Sequence, residues 1–347
     1  MMGPHPAVAE IRRAVRTALA TPAAPDCATA GHPTVVKVAQ SAVLVACSGG
    51  ADSLALAAAT AFEAPRQGLR AGLVTVDHGL QPGSAERAAR VAAVGYELGF
   101  DPVITLPVTV GTGGGPEAAA RTARYAALDA AAAALGARVL LGHTLDDQAE
   151  TVLLGLGRGS GPRSIAGMRP VEARYLRPLL GVRRASTVAA CAALGLAPWD
   201  DPHNADAAFQ RVRLRHEVLP LLEDVLQGGV AEALARTAAL VREDLDALDG
   251  LSATATPAAD AAGAGTAERD GLDAAALAQL PRALRMRTLQ SWARRHCAGP
   301  LSAVHLAAMD ALVTDWHGQG PLDVPGARVA RASGKLVIIP PPRELQE

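Results

Sequence analysis

Four short stretches of this chain hold residues whose types and spacing suit chemistry. The first is "VACSGGADSLAL", Val45 to Leu56. An apolar run stops, two glycines turn the backbone, and an Ala/Leu-rich helical pattern begins at about Asp52. A strand, a tight turn and a helix start leave backbone N–H groups free for an anion. Gly49 and Gly50 permit close approach, Ala51 carries the chain into the helix, and Ser48 and Ser53 add hydroxyl donors. The helix N-terminus favours negative charge by about 0.3–1 kcal/mol. The stretch reads as a phosphate loop. It is neither GxxxxGK[ST] nor GxGxxG, and it has no lysine for β- and γ-phosphates. Asp52 stands beside the expected phosphates, a repulsive place unless a divalent cation lies between, which makes it a candidate Mg²⁺ contact. A plain N-cap after a glycine turn is the alternative.

The second stretch is "GHTLDDQAETVLLGLGRGSG", 142–161. On a helix Asp147 and Glu150 are i and i+3, and Asp146 and Glu150 are i and i+4, so they share a face. Such like charges repel unless a metal, an amine or an arginine joins them. Acids in a first turn also suit the helix dipole, but that does not account for Glu150, with Gly142 and His143 before it. The third, "VDHGLQPGS" (76–84), puts Val76, Asp77 and His78 at a strand end. The fourth, "WDDPHNADAAFQRVRLRHEVLPLL" (199–222), places Arg211 and Arg215 one turn apart, with Arg213 and His216 close by. Seven arginines lie between Arg158 and Arg184, Arg163 among them, against the single acid Glu172. Arginine's planar fork suits phosphate, so these segments form a candidate nucleic-acid face; a solvated basic face is the alternative. In "EAAARTARYAAL" (117–128), Glu117 and Arg121 form an i,i+4 pair, and Arg124 follows.

The elements that must position these residues alternate. Strand-like runs at 42–47, 72–77, 102–108 and 137–142 are each followed by a helical pattern, which predicts βαβ units and a parallel sheet. The polar stretches fall at strand carboxyl ends, where such sheets bind ligands. An amphipathic N-terminal helix and a loop fill 1–40, and the sheet domain spans 41–200. A helical connection covers 201–250, and a small-residue linker, 251–271, separates a smaller, mainly helical C-terminal domain, 272–347, with a β-like tail. The 347 residues are half apolar but only 3% aromatic, with a formal net charge of -1, so any nucleic-acid role rests on local patches. Cys27, Cys47, Cys191 and Cys297 form no CxxC, which argues against structural zinc or disulfides and fits a reducing cytoplasm. No apolar run reaches a membrane span.

SGGADS (48–53) after a strand resembles the loop of the N-type ATP pyrophosphatases, the PP-loop superfamily. With VDHGLQPGS, ARYAAL (123–128), GHTLDDQAETVLLGLGRGSG, LRPLL (176–180) and the DDPHN…RVRLRHEVLP block (200–220), the chain resembles the tRNA(Ile)-lysidine synthase family over about 40–225. The resemblance implies ligation of L-lysine to C2 of the wobble cytidine in the CAU anticodon of isoleucine tRNA, through an adenylate, with ATP and Mg²⁺. It implies ATP contacts at Ser48, Gly49, Gly50, Ala51, Asp52, Ser53, Val76, His78, Gly142 and His143. Asp147 and Glu150 would hold lysine, Asp52 with Asp147 would share Mg²⁺ or hold lysine's amino group, and Arg124 and His143 would act at the α-phosphate. Arg158, Arg163, Arg211, Arg213 and Arg215 would grip the tRNA, and a homodimer is left open. Two positions depart from the pattern: Thr144 where the family often has a second His, and Val212 where it has Asn. A small-metabolite ligase of the same superfamily and a non-catalytic ATP- or tRNA-binding module are the alternatives.

Overall fold

The computed structural model describes residues 3–22, 42–79, 83–111, 115–159, 161–201, 206, 208–260, 271–295, 297 and 299–339. Most of the loop expected before residue 41, and residues 80–82, 160, 202–205 and 207 of the motifs above, lie outside them.

Helix α1 (Pro6–Ala20) precedes the alternating elements β1 (Ala42–Ala46), α2 (Ala51–Glu63), β2 (Arg70–Asp77), α3 (Ser84–Glu97), β3 (Val103–Pro107), α4 (Pro116–Leu135), β4 (Arg138–Leu141) and α5 (Leu145–Arg158). The short α6 (Pro162–Ile165), β5 (Val171–Glu172) and β6 (Tyr175–Leu176) follow, then α7 (Arg184–Ala193). The sheet order is β3-β2-β1-β4-β6-β5, parallel except for β5 against β6. The chain leaves β1 in one direction through β2 and β3, then returns to β4 on its other side. β1 is therefore the switch point, where a crevice must open beyond the carboxyl ends. Ala46 is level with Val74 on one side and Leu141 on the other, so the loops after β1 and β4 emerge together.

β1 is buried along its whole length, as the apolar run predicts for a central parallel strand. Val43 and Val45 join the core against α1, α2 and α7, and Ala42, Leu44 and Ala46 face Leu128 and Ala132 of α4. Two-residue alternation thus builds a three-layer core mostly from Ala, Val and Leu. Arg138 fastens α1 by donating to the carbonyls of Leu19 and Thr21 at 3.1 and 2.7 Å, filling acceptors at the helix's C-terminal end.

Beyond α7 come α8 (Gln210–Arg213), a π turn at Leu214–Val218, α9 (Leu219–Val225) and the long α10 (Val230–Asp260). The chain divides into two compact units, Met1–Ala239 and Leu240–Glu347. The first unit therefore extends past the expected boundary at 200. α10 runs ten residues into the stretch expected to be linker, because its alanines favour helix over coil. The second unit contains β7 (Leu272–Asp273), α11 (Ala274–Gln279), α12 (Arg282–Arg294), α13 (Ala303–Thr314), β8 (Leu322–Val324), β9 (Ala327–Ala332) and β10 (Lys335–Ile339). Its antiparallel order is β7-β10-β9-β8, and its core surrounds the fully buried Trp292. Arg285 and Asp310 form a buried pair at 2.5 Å beside that core. Among the described residues no helix is long and apolar enough to cross a membrane.

α5 and α6 pack through a glycine. A methyl on Gly155 would lie 2.0 Å from the Ser164 carbonyl oxygen, whereas one on Gly157 meets nothing within 4 Å. Gly155→Ala should therefore cost at least about 1–3 kcal/mol through overpacking. Gly157→Ala should be neutral or gain up to about 1 kcal/mol of helix propensity. Thermal unfolding of the two variants against the parent protein checks this; equal midpoints would mean α6 can move away freely.

Candidate active site

The crevice at the switch point is a cleft of about 1020 Å³ with a smaller pocket of about 230 Å³ beside it. The phosphate loop forms the cleft floor. Gly49 has φ +89°, and a Cβ there would also approach Val91 at 2.9 Å, so only glycine fits. Gly50 caps α2 without a side-chain bond, leaving the first-turn N–H groups of the helix open towards the cleft. Ser53 shapes the loop: its hydroxyl accepts from the Ser48 N–H at 3.1 Å and donates to the Gly50 carbonyl at 2.9 Å. Ser48 Oγ is 3.3 Å away. Gly142 lets β4 approach this helix start, since a Cβ there would lie 3.2 Å from the Asp52 backbone.

Three carboxylates gather at one side. Asp52 accepts from Arg184 Nε at 3.1 Å and from the Thr187 hydroxyl. Asp147 closes a capping box with Thr144, accepting from its N–H at 2.8 Å and its hydroxyl at 2.9 Å, and it binds Arg184 Nη2 at 2.6 Å. Glu150 is fully buried and receives Arg215 Nε and Nη2 at 2.8 and 3.3 Å, with Arg211 at 3.8 Å. Burial raises the pKa of Asp52 despite the Arg184 charge. Burial also pushes on Asp147, but Arg184, the Thr144 hydrogen bonds and His143 outweigh it and hold that carboxyl below its usual range. Arg184 is in turn held firmly protonated: burial opposes its charge, and the Asp147, Asp52 and Glu150 carboxylates prevail.

The opposite side is neutral or cationic. Burial pushes the pKa of His143 down to about 4, with Asp147 pulling the other way, and its Nδ1 has no partner among the described residues. His78 is lowered by burial and by Arg124, and its Nδ1 is likewise without a partner. Arg124 lines both cleft and pocket and has no acidic partner among the described residues. Val76 and His78 line the small pocket, where Arg87 stacks on Trp199 at 4.0 Å. The Trp199 N–H also donates to the Gly49 carbonyl at 2.9 Å, tying this wall to the loop. Burial raises the thiols of Cys47 and of Cys191, the latter to about 11, so neither is a thiolate near neutral pH.

A family model described as a PP-loop domain matches residues 26–222, and one described as a TilS substrate binding domain matches 272–337. A curated protein named tRNA(Ile)-lysidine synthase from Thermobifida fusca (strain YX) is 56% identical over 342 residues, covering 98% of this chain and 99% of that protein. Its namesakes from Leifsonia xyli subsp. xyli (strain CTCB07) and Streptomyces coelicolor (strain ATCC BAA-471 / A3(2) / M145) are 53% and 55% identical, covering 86% and 97% of this chain and 90% and 99% of theirs. This chain belongs to the tRNA(Ile)-lysidine synthase family. Among solved structures, the U34-tRNA thiolase NcsA from Methanococcus maripaludis shares the fold, with TM-score 0.51 and 17% identity over 68% of this chain and 80% of that one.

In this family member the residues Ser48, Gly50, Ala51, Asp52, Ser53, Gly142, His143 and Asp147, expected from sequence, share the cleft with Arg124 and Arg215. Two expectations need correction. Arg211 and Arg215 do not form an outward phosphate-gripping pair: Arg215 turns in to the buried Glu150 at 2.8 Å, whereas Arg211, 3.8 Å from the same acid, stays partly exposed. Asp52 and Asp147 do not offer a free pair for Mg²⁺: every oxygen of the two already accepts from Arg184, Thr187 or Thr144. Three carboxylates meet three guanidiniums here, and among the described residues no group of three or more His, Cys, Asp or Glu could hold a metal. This arrangement does not fit a bridging divalent ion. Arg213 is exposed and pairs with Glu217 at 2.8 Å; Arg158 and Arg163 are exposed. Sequence reasoning missed Arg184, Thr187, Arg87 and Trp199 as site residues. The signal for Arg184 was the unbalanced acids on α5, which demanded a cation from elsewhere.

The burial of His143 has a pH consequence. An unfolded histidine takes its proton near pH 6.5, and folded His143 only near 4. Between those values the unfolded chain binds the extra proton, so stability is whole above pH 6.5 and is lost as pH falls towards 4. His143→Gln removes this contribution. Its unfolding midpoint should fall less between pH 7 and 4.5 than the parent's, by the equivalent of about 1–3 kcal/mol. Parallel slopes in thermal melts across that range would mean that His143 is solvated.

Proposed function

We propose that this chain makes lysidine. ATP activates the C2 oxygen of the wobble cytidine in the CAU anticodon of isoleucine tRNA, with loss of pyrophosphate; the amine of L-lysine then displaces AMP at C2. One juxtaposition carries the reading: a phosphate loop with an acid-free guanidinium, Arg124, shares a single cleft with Asp52 and Asp147, which Arg184 links to the buried Glu150. Negative charge is received at one end and a cationic amine at the other, which is what joining ATP chemistry to lysine requires.

The open N–H groups of Gly50 to Ser53, with the Ser48 hydroxyl, receive the phosphates. Arg124 faces the charge developing at the α-phosphate, in a site where a fixed cation acts with little solvent reorganisation. His143 titrates too low to serve as a strong base at neutral pH, so it positions the reacting groups through its free ring nitrogen. The small pocket, walled by Val76, His78 and the Arg87–Trp199 stack, takes the adenosine. Asp147 and Glu150, with Asp52, hold the amine of lysine. Mg²⁺ enters as the counter-ion of the ATP phosphates, and no pair of protein ligands is assigned to it. Arg158, Arg163 and Arg213, with the unit matched at 272–337, meet the tRNA.

The test supplies the purified chain with ATP, labelled L-lysine and a CAU isoleucine tRNA transcript. Label should enter the tRNA with one AMP and one pyrophosphate per lysine, and a transcript with U at the wobble position should stay unlabelled. Equal labelling of both transcripts, or of neither, would overturn the reading. Arg124→Gln should cut turnover by about 10²–10³-fold, the scale of losing one oriented charge. Its melting midpoint should hold, because no acid is left unpaired.

A further inference from the structure

Arg184 opens α7, where the helix dipole disfavours a cation. Its side chain leaves the helix and reaches three carboxylates on α2 and α5 with three different nitrogens. Nε meets Asp52 at 3.1 Å, Nη2 meets Asp147 at 2.6 Å, and Nη1 lies 3.6 Å from Glu150. Its backbone is anchored separately. The Arg184 N–H donates to Asp146 at 2.7 Å, and the neighbouring Arg183 pairs with Asp146 at 3.2 Å and with Glu232 at 2.7 Å. The side chain is therefore free to depart while the start of α7 stays in place. Glu150 would keep Arg215 at 2.8 Å and Arg211 at 3.8 Å. Three carboxylates would then face two guanidiniums, a shortfall of one positive charge. An alkylammonium supplies that charge; a bare divalent cation oversupplies it.

We propose that Arg184 is a specificity-determining residue: the resident counter-cation of the amine subsite, which the ammonium of incoming lysine displaces. The inference rests on the reading of the carboxylate cluster as the place of lysine. It makes the subsite a cation exchanger. An amino acid with a neutral side chain cannot replace Arg184 without leaving buried acids uncompensated, a cost that its other contacts do not repay. Lysine can, but its apparent affinity is reduced by the competition with Arg184.

Isothermal titration without ATP tests this, using the full chain and its Arg184→Gln and Arg184→Lys variants. The ligands are L-lysine, L-norleucine and n-butylammonium, with ATP titrated in parallel. Arg184→Gln should bind lysine about tenfold more tightly than the parent protein once the competitor is gone. Arg184→Lys, whose compact ammonium cannot address three carboxylates at once, should gain severalfold and keeps the charge that protects folding. Norleucine and ATP should show no such gain. Lysine binding that is unchanged or weaker in both variants overturns the proposal and makes Arg184 part of the lysine-bound site. A gain for n-butylammonium where lysine binds neither parent nor variant keeps the exchange inference and removes lysine from the cluster.

Discussion

Three carboxylates cannot be gathered at the end of a parallel sheet unless cations reach them from elsewhere in the chain. A buried charge left without a partner costs about 3–5 kcal/mol, enough to consume much of a domain's net stability. Here the acids come from α2 and α5, and the cations come from α7, α8 and the π turn after it. This exchange holds the segments after β6 over the carboxyl edge of the sheet. Arg211 in α8 and Arg215 in the π turn are four residues apart and lie 3.8 and 2.8 Å from Glu150. Val212 between them is buried and adds an apolar seat where no polar partner is needed.

The same edge depends on small residues. Ala46, Gly142 and the Gly49–Gly50 turn keep backbones close enough for β1, β4 and α2 to meet at one point. Large side chains there would push the phosphate loop from the acids. With aromatics at 3%, the core reaches tight contact through Ala and Val rather than through large rings.

What the sequence made legible was local. The phosphate loop, the four parallel strands and the acid pair on α5 are each encoded within a dozen or so contiguous residues, where strand, turn and helix signals agree. Asp147 and Glu150 announced themselves by sharing a face. The partner of each did not, because Arg184 lies 37 residues from Asp147 and Arg215 lies 65 from Glu150. Composition cannot tell an arginine that turns inward from one that meets solvent. Of the seven arginines between 158 and 184, Arg174, Arg177, Arg183 and Arg184 are engaged in ion pairs with named acids. Residues 251–260 of the expected linker are helix for the opposite reason: small residues resemble coil in composition, yet alanine is the strongest helix former.

The cleft that results is electrically two-sided, and the two sides differ in readiness. At the phosphate loop the helix N–H groups and Arg124 stand uncompensated, so an anion can settle there without displacing anything. At the acid cluster every charge is already matched, so a cation can enter only as another leaves. His143, kept neutral near pH 7 by burial, lines the same cleft. An anion binding at the phosphate loop therefore needs no rearrangement of ion pairs, whereas a cation entering the acid cluster must take the place of one already paired there.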